Sequence, residues 1–87
     1  MLTLKVQNKK FNEFTEIDRF ALIPKKWRES FELGINNILI NSKRYQVRAY
    51  EIPCTCVKDK HTHMILDLRD VWDELCLKDH DKIEVDK

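Results

Sequence analysis

Residues 20–33, FALIPKKWRESFEL, decide the fold, because a similar stretch returns forty-four residues later at residues 64–77, MILDLRDVWDELCL. Apolar residues fall on apolar residues when the two stretches are aligned. The aligned pairs are Trp27 with Val71, Phe31 with Leu75, and Leu33 with Leu77. A repeated pattern of this kind is typical of a chain built from two similar halves.

Each half is predicted to form a strand, a short helix and a second strand. The predicted elements are strands at residues 14–23 and 38–40 around a helix at 24–31, and strands at 61–68 and 82–86 around a helix at 69–76. Pro24 favours the first helix, because proline suits a first helical turn and the residue before it avoids the helical region. Gly34, the only glycine, is predicted to end that helix, and Cys76 is predicted to lie in the core.

Size and repeat together predict one domain over residues 1–87, since a chain of this length buries a single core. The half-repeats span about residues 14–43 and 60–87, and residues 1–8 add an N-terminal strand whose inner side is Leu2, Leu4 and Val6. A strand–helix–strand unit cannot bury its own apolar face, so two units are expected to pair. The predicted fold is mainly β with two short helices, a small pseudo-twofold double-split β-barrel.

One hairpin carries a metal-ligand pattern. Its strands are predicted at residues 54–57 and 61–68. A hairpin tip at Lys58 and Asp59 would place Cys56 opposite His61 and Cys54 opposite His63. All four side chains would then share one face. Two thiolates and two imidazoles suit zinc, and the soft sulfurs also admit copper(I). The alternative is two buried cysteines that act as small hydrophobic residues, with two surface histidines.

Basic residues form the second candidate site. Residues 1–60 contain 12 Lys or Arg against 7 Asp or Glu, whereas residues 61–87 contain 4 against 8. The predicted ligand-binding or nucleic-acid-binding residues are Lys25, Lys26, Arg28, Lys43, Arg44 and Arg48. They predict a protein partner or an anionic ligand, with nucleic acid as an alternative. A solvated surface of mixed charge is the other alternative, because glutamates lie among these residues.

Motifs for catalysis are missing from the sequence, which has no G-x-S-x-G elbow, phosphate-binding glycine loop or H-E-x-x-H helix. A non-enzymatic binding module is therefore predicted, without a cofactor unless the hairpin holds zinc. Three cysteines without a secretory leader argue against a disulfide framework. No apolar run approaches the ~20 residues that cross a bilayer. We expect a cytoplasmic protein, monomer or homodimer, that does not bind membranes.

Five segments resemble a small bacterial family called domain of unknown function 1905. They are residues 20–24 (FALIP), 38–41 (ILIN), 45–49 (YQVRA), 63–68 (HMILDL) and 77–85 (LKDHDKIEV). The organisation is also similar to the double-split β-barrel of AbrB and MazE-type proteins. The resemblance implies this barrel over residues 14–87. It implies binding of DNA or a protein partner only by analogy of fold.

Overall fold

The computed structural model of the protein describes residues 2–54 and 61–86. Its elements are β1 (Leu2–Gln7), β2 (Phe20–Ile23), a 3₁₀ helix (Lys25–Ser30), β3 (Gly34–Ile40), β4 (Lys43–Pro53), β5 (Thr62–Asp67) and β6 (Lys82–Asp86). The six strands pair antiparallel and close into a barrel in the order β1-β2-β5-β4-β3-β6. The prediction of a mainly β barrel is confirmed. Across the described part of the chain, no helix has the length and apolar character needed to span a membrane.

Alternating apolar side chains fill the barrel. Along β1, Leu2, Leu4 and Val6 are buried while Thr3 and Lys5 are exposed, as the sequence predicts for a strand with one inner face. The other strands contribute a matching set to the same cluster. Its strand residues are Ala21, Ile23, Ile38, Ile40, Val47, Ala49, Met64, Leu66, Ile83 and Val85. This interior cluster is the main core of the domain.

A second, smaller apolar cluster lies outside the barrel. Phe20, Ile52 and Ile65 point away from the interior, and Ile17 from the β1–β2 connection packs on them. Phe11 of the same connection meets Phe20 edge to face, with ring centroids 5.6 Å apart. The prediction of one extended strand over residues 14–23 is therefore wrong, because only the last four residues pair as β2. The residues before them form a cover for the outer face.

The first predicted helix is present as a 3₁₀ helix. The amide of Trp27 donates to the carbonyl of Pro24 at 2.9 Å, so proline begins the turn as the sequence predicts. Phe31 is extended, with φ −121°, and ends the helix. Its side chain is buried, and Trp27 packs against the interior cluster. The prediction that Gly34 ends the helix is wrong, since Gly34 is the first residue of β3 with φ +93°.

The second helix, predicted at residues 69–76, does not form. Residues 69–76 make successive turns. The amides of Cys76 and Leu77 donate to the carbonyls of Asp73 and Trp72, each at 3.1 Å. These two bonds are the Schellman pattern that closes a helical turn around one left-handed residue. Cys76 is that residue, with φ 53°, and it is exposed. The prediction of a core cysteine is therefore wrong.

The left-handed backbone at Cys76 leads to a stability prediction. Glycine adopts this conformation without the Cβ penalty, so Cys76→Gly is expected to raise the free energy of unfolding by about 0.5–1 kcal/mol. The measurement is urea denaturation of the metal-free protein. Cys76→Ala is the control, because it removes the same thiol and keeps the Cβ atom. Equal denaturation midpoints for the two variants would show that the backbone at this position carries no strain.

Candidate functional site

The hairpin between β4 and β5 positions the predicted metal ligands. Ile52 pairs with His63 and Pro53 with Thr62, and the amide of Cys54 donates to the carbonyl of His61 at 2.9 Å. The predicted pairing of Cys54 with His63 is therefore wrong by two residues. In the observed register Tyr50, which packs against the outer cluster, lies opposite Ile65. A two-residue shift keeps every side chain on its predicted face.

Three of the four predicted ligands come together. The Nε2 atoms of His61 and His63 are 3.2 Å apart, and their rings meet edge to face with centroids 4.9 Å apart. The ligand atoms of Cys54, His61 and His63 all lie within 4.8 Å of one another. The fourth predicted ligand, Cys56, lies outside the described residues. The hairpin therefore supplies one thiol and two imidazoles at a single place.

These separations are close to those of a tetrahedral metal site. With Zn–N bonds of about 2.0–2.1 Å, two coordinated nitrogens stand about 3.3 Å apart, and a sulfur at about 2.3 Å from zinc stands about 3.6 Å from each nitrogen. The two imidazole nitrogens already meet the first distance. Because no pair exceeds 4.8 Å, the thiol sulfur needs to approach by about 1.2 Å at most.

His63 is the more enclosed of the two histidines. Phe11 contacts its ring edge to face, with centroids 5.5 Å apart, so the cover of the outer cluster also fixes one ligand. Partial burial lowers the pKa of His63 below 6.5, and the nearby charges of His61 and Arg28 lower that pKa further. A lowered pKa keeps the imidazole neutral over a wider acidic range. The neutral form is the one that binds metals.

Arg28 joins the 3₁₀ helix to β5. It donates from Nη1 to the carbonyl of Thr62 at 3.3 Å and from Nη2 to the Thr62 hydroxyl at 3.2 Å. Its Nη2 also lies 3.6 Å from the Glu51 carboxylate, to which the Thr62 hydroxyl donates a short hydrogen bond. The pairing of β2 with β5 ends at Ile23 and Met64, so β2 does not extend alongside Thr62. Arg28 bonds to Thr62 beyond this end of β2. This network holds the backbone between the two histidines.

A cleft of about 370 Å³ opens beside the histidines. Its walls are Ile23, Lys25, Arg28, His61, Thr62, His63 and Met64. A second hollow of about 290 Å³ is lined by Pro53, Cys54, His61 and Thr62. His61 borders both spaces, so the three ligands lie between the two hollows. An exogenous ligand can reach the histidines from the first cleft, whose lining also includes the basic residues Lys25 and Arg28.

The six predicted basic residues lie in different places. Lys25 and Arg28 line the cleft beside the histidines, and Lys26 is exposed on the same helix outside this lining. Arg48 lines a separate hollow of about 200 Å³ together with Asp67 and Asp70. Lys43 and Arg44 are exposed at the start of β4, about 25 Å along the strand from the Glu51 that contacts Arg28. The nucleic-acid alternative stays a prediction, and the cleft gathers two of the six residues.

Sequence reasoning did not identify three residues of this site, Phe11, Glu51 and Thr62. Each acts through contacts with distant parts of the chain, and Thr62 is 34 residues from Arg28. A threonine or glutamate in a strand carries no motif that would reveal such a contact. The His-x-His and Cys54 spacing is the only local signal of the site.

Comparison of the chain with protein-family models, with curated proteins and with solved structures finds no match. The geometry of the hairpin and its cleft is therefore the basis for the functional proposal.

Proposed function

We propose that this protein is a binding module that holds a transition metal through Cys54, His61 and His63. The observation that carries the proposal is the 3.2 Å separation of the two Nε2 atoms, with the Cys54 ligand atom close by. One thiolate and two imidazoles prefer zinc or copper(I) over magnesium or calcium. The set proposed from the sequence also contains Cys56, which lies outside the described residues.

The tautomers of the two histidines support this role. The two Nε2 atoms are 3.2 Å apart, and two bare lone pairs at that distance would repel, so a hydrogen bond here requires an Nε2–H tautomer in one of the two neutral rings. A metal held by both Nε2 atoms would require that ring to carry its proton on Nδ1 instead, so that both Nε2 lone pairs are available. The thiol of Cys54 loses its proton as well, since the thiolate is the ligand. Binding should therefore release protons and weaken as the solution is acidified.

We also propose that the barrel has the double-split form of two half-barrels. The strand register supports it. Phe20 pairs with Asp67, and Ile23 pairs with Met64. In the forty-four-residue alignment Phe20 corresponds to Met64 and Ile23 to Asp67, so each pair maps onto the other. Exchange of the two halves therefore leaves the β2–β5 pairing unchanged. With one residue inserted in the second half, Ile40 aligns with Val85. These two residues pair, so the β3–β6 pairing has the same property. A pseudo-twofold axis through both pairs explains the repeat.

The metal proposal is tested by zinc competition. Chelator-treated full-length protein is titrated with zinc against a chromophoric chelator, and we expect one zinc per chain. Cys54→Ser is expected to weaken zinc binding by at least about tenfold, because a hydroxyl is a poor substitute for a thiolate. Cys76→Ser is the matched control, since it removes an exposed thiol away from the site. Equal zinc affinity in the two serine variants would reject Cys54 as a ligand.

A further inference from the structure

Among the described residues, three ligands would leave a tetrahedral metal with one open position, and a cleft lies beside this site. Structural zinc sites usually have four protein ligands, whereas a site with three keeps a position for water or another ligand. His61 and His63 supply two of the ligand atoms and also line the cleft of about 370 Å³. A metal on their Nε2 atoms would therefore have its remaining position accessible from that space.

The charges around the cleft select the kind of ligand. Lys25 and Arg28 line it together with the histidines. The charge of Arg28 is largely offset by the Glu51 carboxylate at 3.6 Å, but Lys25 is exposed. A zinc ion with one thiolate carries a net charge of +1, so the metal and Lys25 together present two positive charges. An anion entering the cleft meets both of them.

We propose that the metal on Cys54, His61 and His63 takes its fourth ligand from a small oxyanion, a phosphate or phosphate monoester, which Lys25 contacts in the adjoining cleft. The inference rests on the proposed metal site and adds the class of ligand. Phosphate oxygens bind hard and borderline metals, and a phosphate dianion matches the two positive charges. The cleft volume is at the lower end of the range for small-molecule sites, about 300–1,000 Å³.

Substitution of Lys25 distinguishes this proposal from a metal site that binds no anion in the cleft. Arg28 is unsuitable for the test, because it also holds Thr62 between the two histidines. Lys26 is the neighbouring residue of the same helix, has the same charge and is exposed, but it lies outside the lining of the cleft. Lys25→Gln and Lys26→Gln are therefore a matched pair with equal changes in net charge.

Cobalt(II) reports both parts of the proposal in full-length protein. Its visible bands reveal tetrahedral geometry, and its near-ultraviolet charge-transfer band grows with the number of thiolates. We expect a tetrahedral spectrum with one thiolate, and a saturable shift of the visible bands when inorganic phosphate is added. Lys25→Gln is expected to raise the phosphate dissociation constant about tenfold. Lys26→Gln is expected to leave it within about twofold.

Three outcomes would overturn the inference, and they can be told apart. A spectrum with two thiolates, reduced to one in Cys56→Ser and insensitive to phosphate, would give the fourth position to Cys56 and leave the metal site standing. A phosphate shift of equal strength in both lysine variants would reject the cleft as the anion site. Absence of any tetrahedral cobalt spectrum would reject the metal site itself, and the anion proposal with it.

Discussion

His63→Ala is expected to weaken zinc binding by about 100-fold or more. The variant removes one of the two imidazole nitrogens that stand 3.2 Å apart, and this pair is the part of the site that already has tetrahedral spacing. Phe11 also packs against the His63 ring, and partial burial together with the nearby charges of His61 and Arg28 lowers the pKa of His63, which keeps the imidazole in its metal-binding neutral form. Water that replaces it would be neither fixed nor comparably basic. Zinc competition against a chromophoric chelator measures the loss.

His80→Ala is the matched control for this change. The chain has three histidines, and His80 is exposed beside Asp79 in the turn before β6, away from the β4–β5 hairpin. We expect zinc affinity within about twofold of the parent protein, because a surface histidine outside the ligand set contributes little. Comparable losses in the two variants would mean that zinc binds nonspecifically to surface histidines. The metal site would then be abandoned.

Leu66→Ala is expected to lower the free energy of unfolding by about 3–5 kcal/mol. Leu66 is fully buried and lies at the centre of the β2-β5-β4 sheet, opposite Ala21 on one side and Ala49 on the other. Its side chain fills space that two alanines leave open, so truncation would place three small residues in a row. Since a domain of this size is stable by about 5–15 kcal/mol, the loss is a large fraction of the total.

Leu22→Ala provides the comparison for the Leu66 variant. It makes the same chemical change one strand away, at a side chain that is 36% exposed, and we expect it to cost less than about 1 kcal/mol. Urea denaturation of metal-free protein measures both variants. If the two denaturation midpoints shift equally, the interior is not packed around Leu66 as the barrel requires.

The barrel could be predicted because its signals are local and repeated. Alternation in β1, the apolar runs at β2 and β5, and the proline that starts the 3₁₀ helix can each be identified within a few residues. The second helix was overpredicted for a physical reason. The apolar side of this segment does pack on the interior cluster, through Val71, Trp72 and Leu75. The left-handed backbone at Cys76 ends the segment after a short helical turn. A cysteine in the sequence does not predict that backbone conformation.

The outer cluster and the site network depend on contacts that spacing does not encode. Phe11 and Ile17 lie in a connection without regular periodicity, so nothing in the sequence predicts that they cover Phe20 and Ile65. The Cys/His pattern placed Cys54, His61 and His63 on one face, where they do lie together, because a two-residue register error preserves the face. That they bind a metal stays a prediction. The pattern could not predict the Arg28 contact with Thr62, which depends on where β2 ends.

The pairing of β1 with β6 has a consequence for how the molecule is made. Leu2 lies opposite Val85 and Leu4 opposite Ile83, so two strands more than seventy-five residues apart in the sequence complete the same ladder. Closure must wait until synthesis has passed residue 86, and until then β1 and β3 each lack a neighbour. Such long-range pairing slows folding and exposes apolar strand faces on the nascent chain.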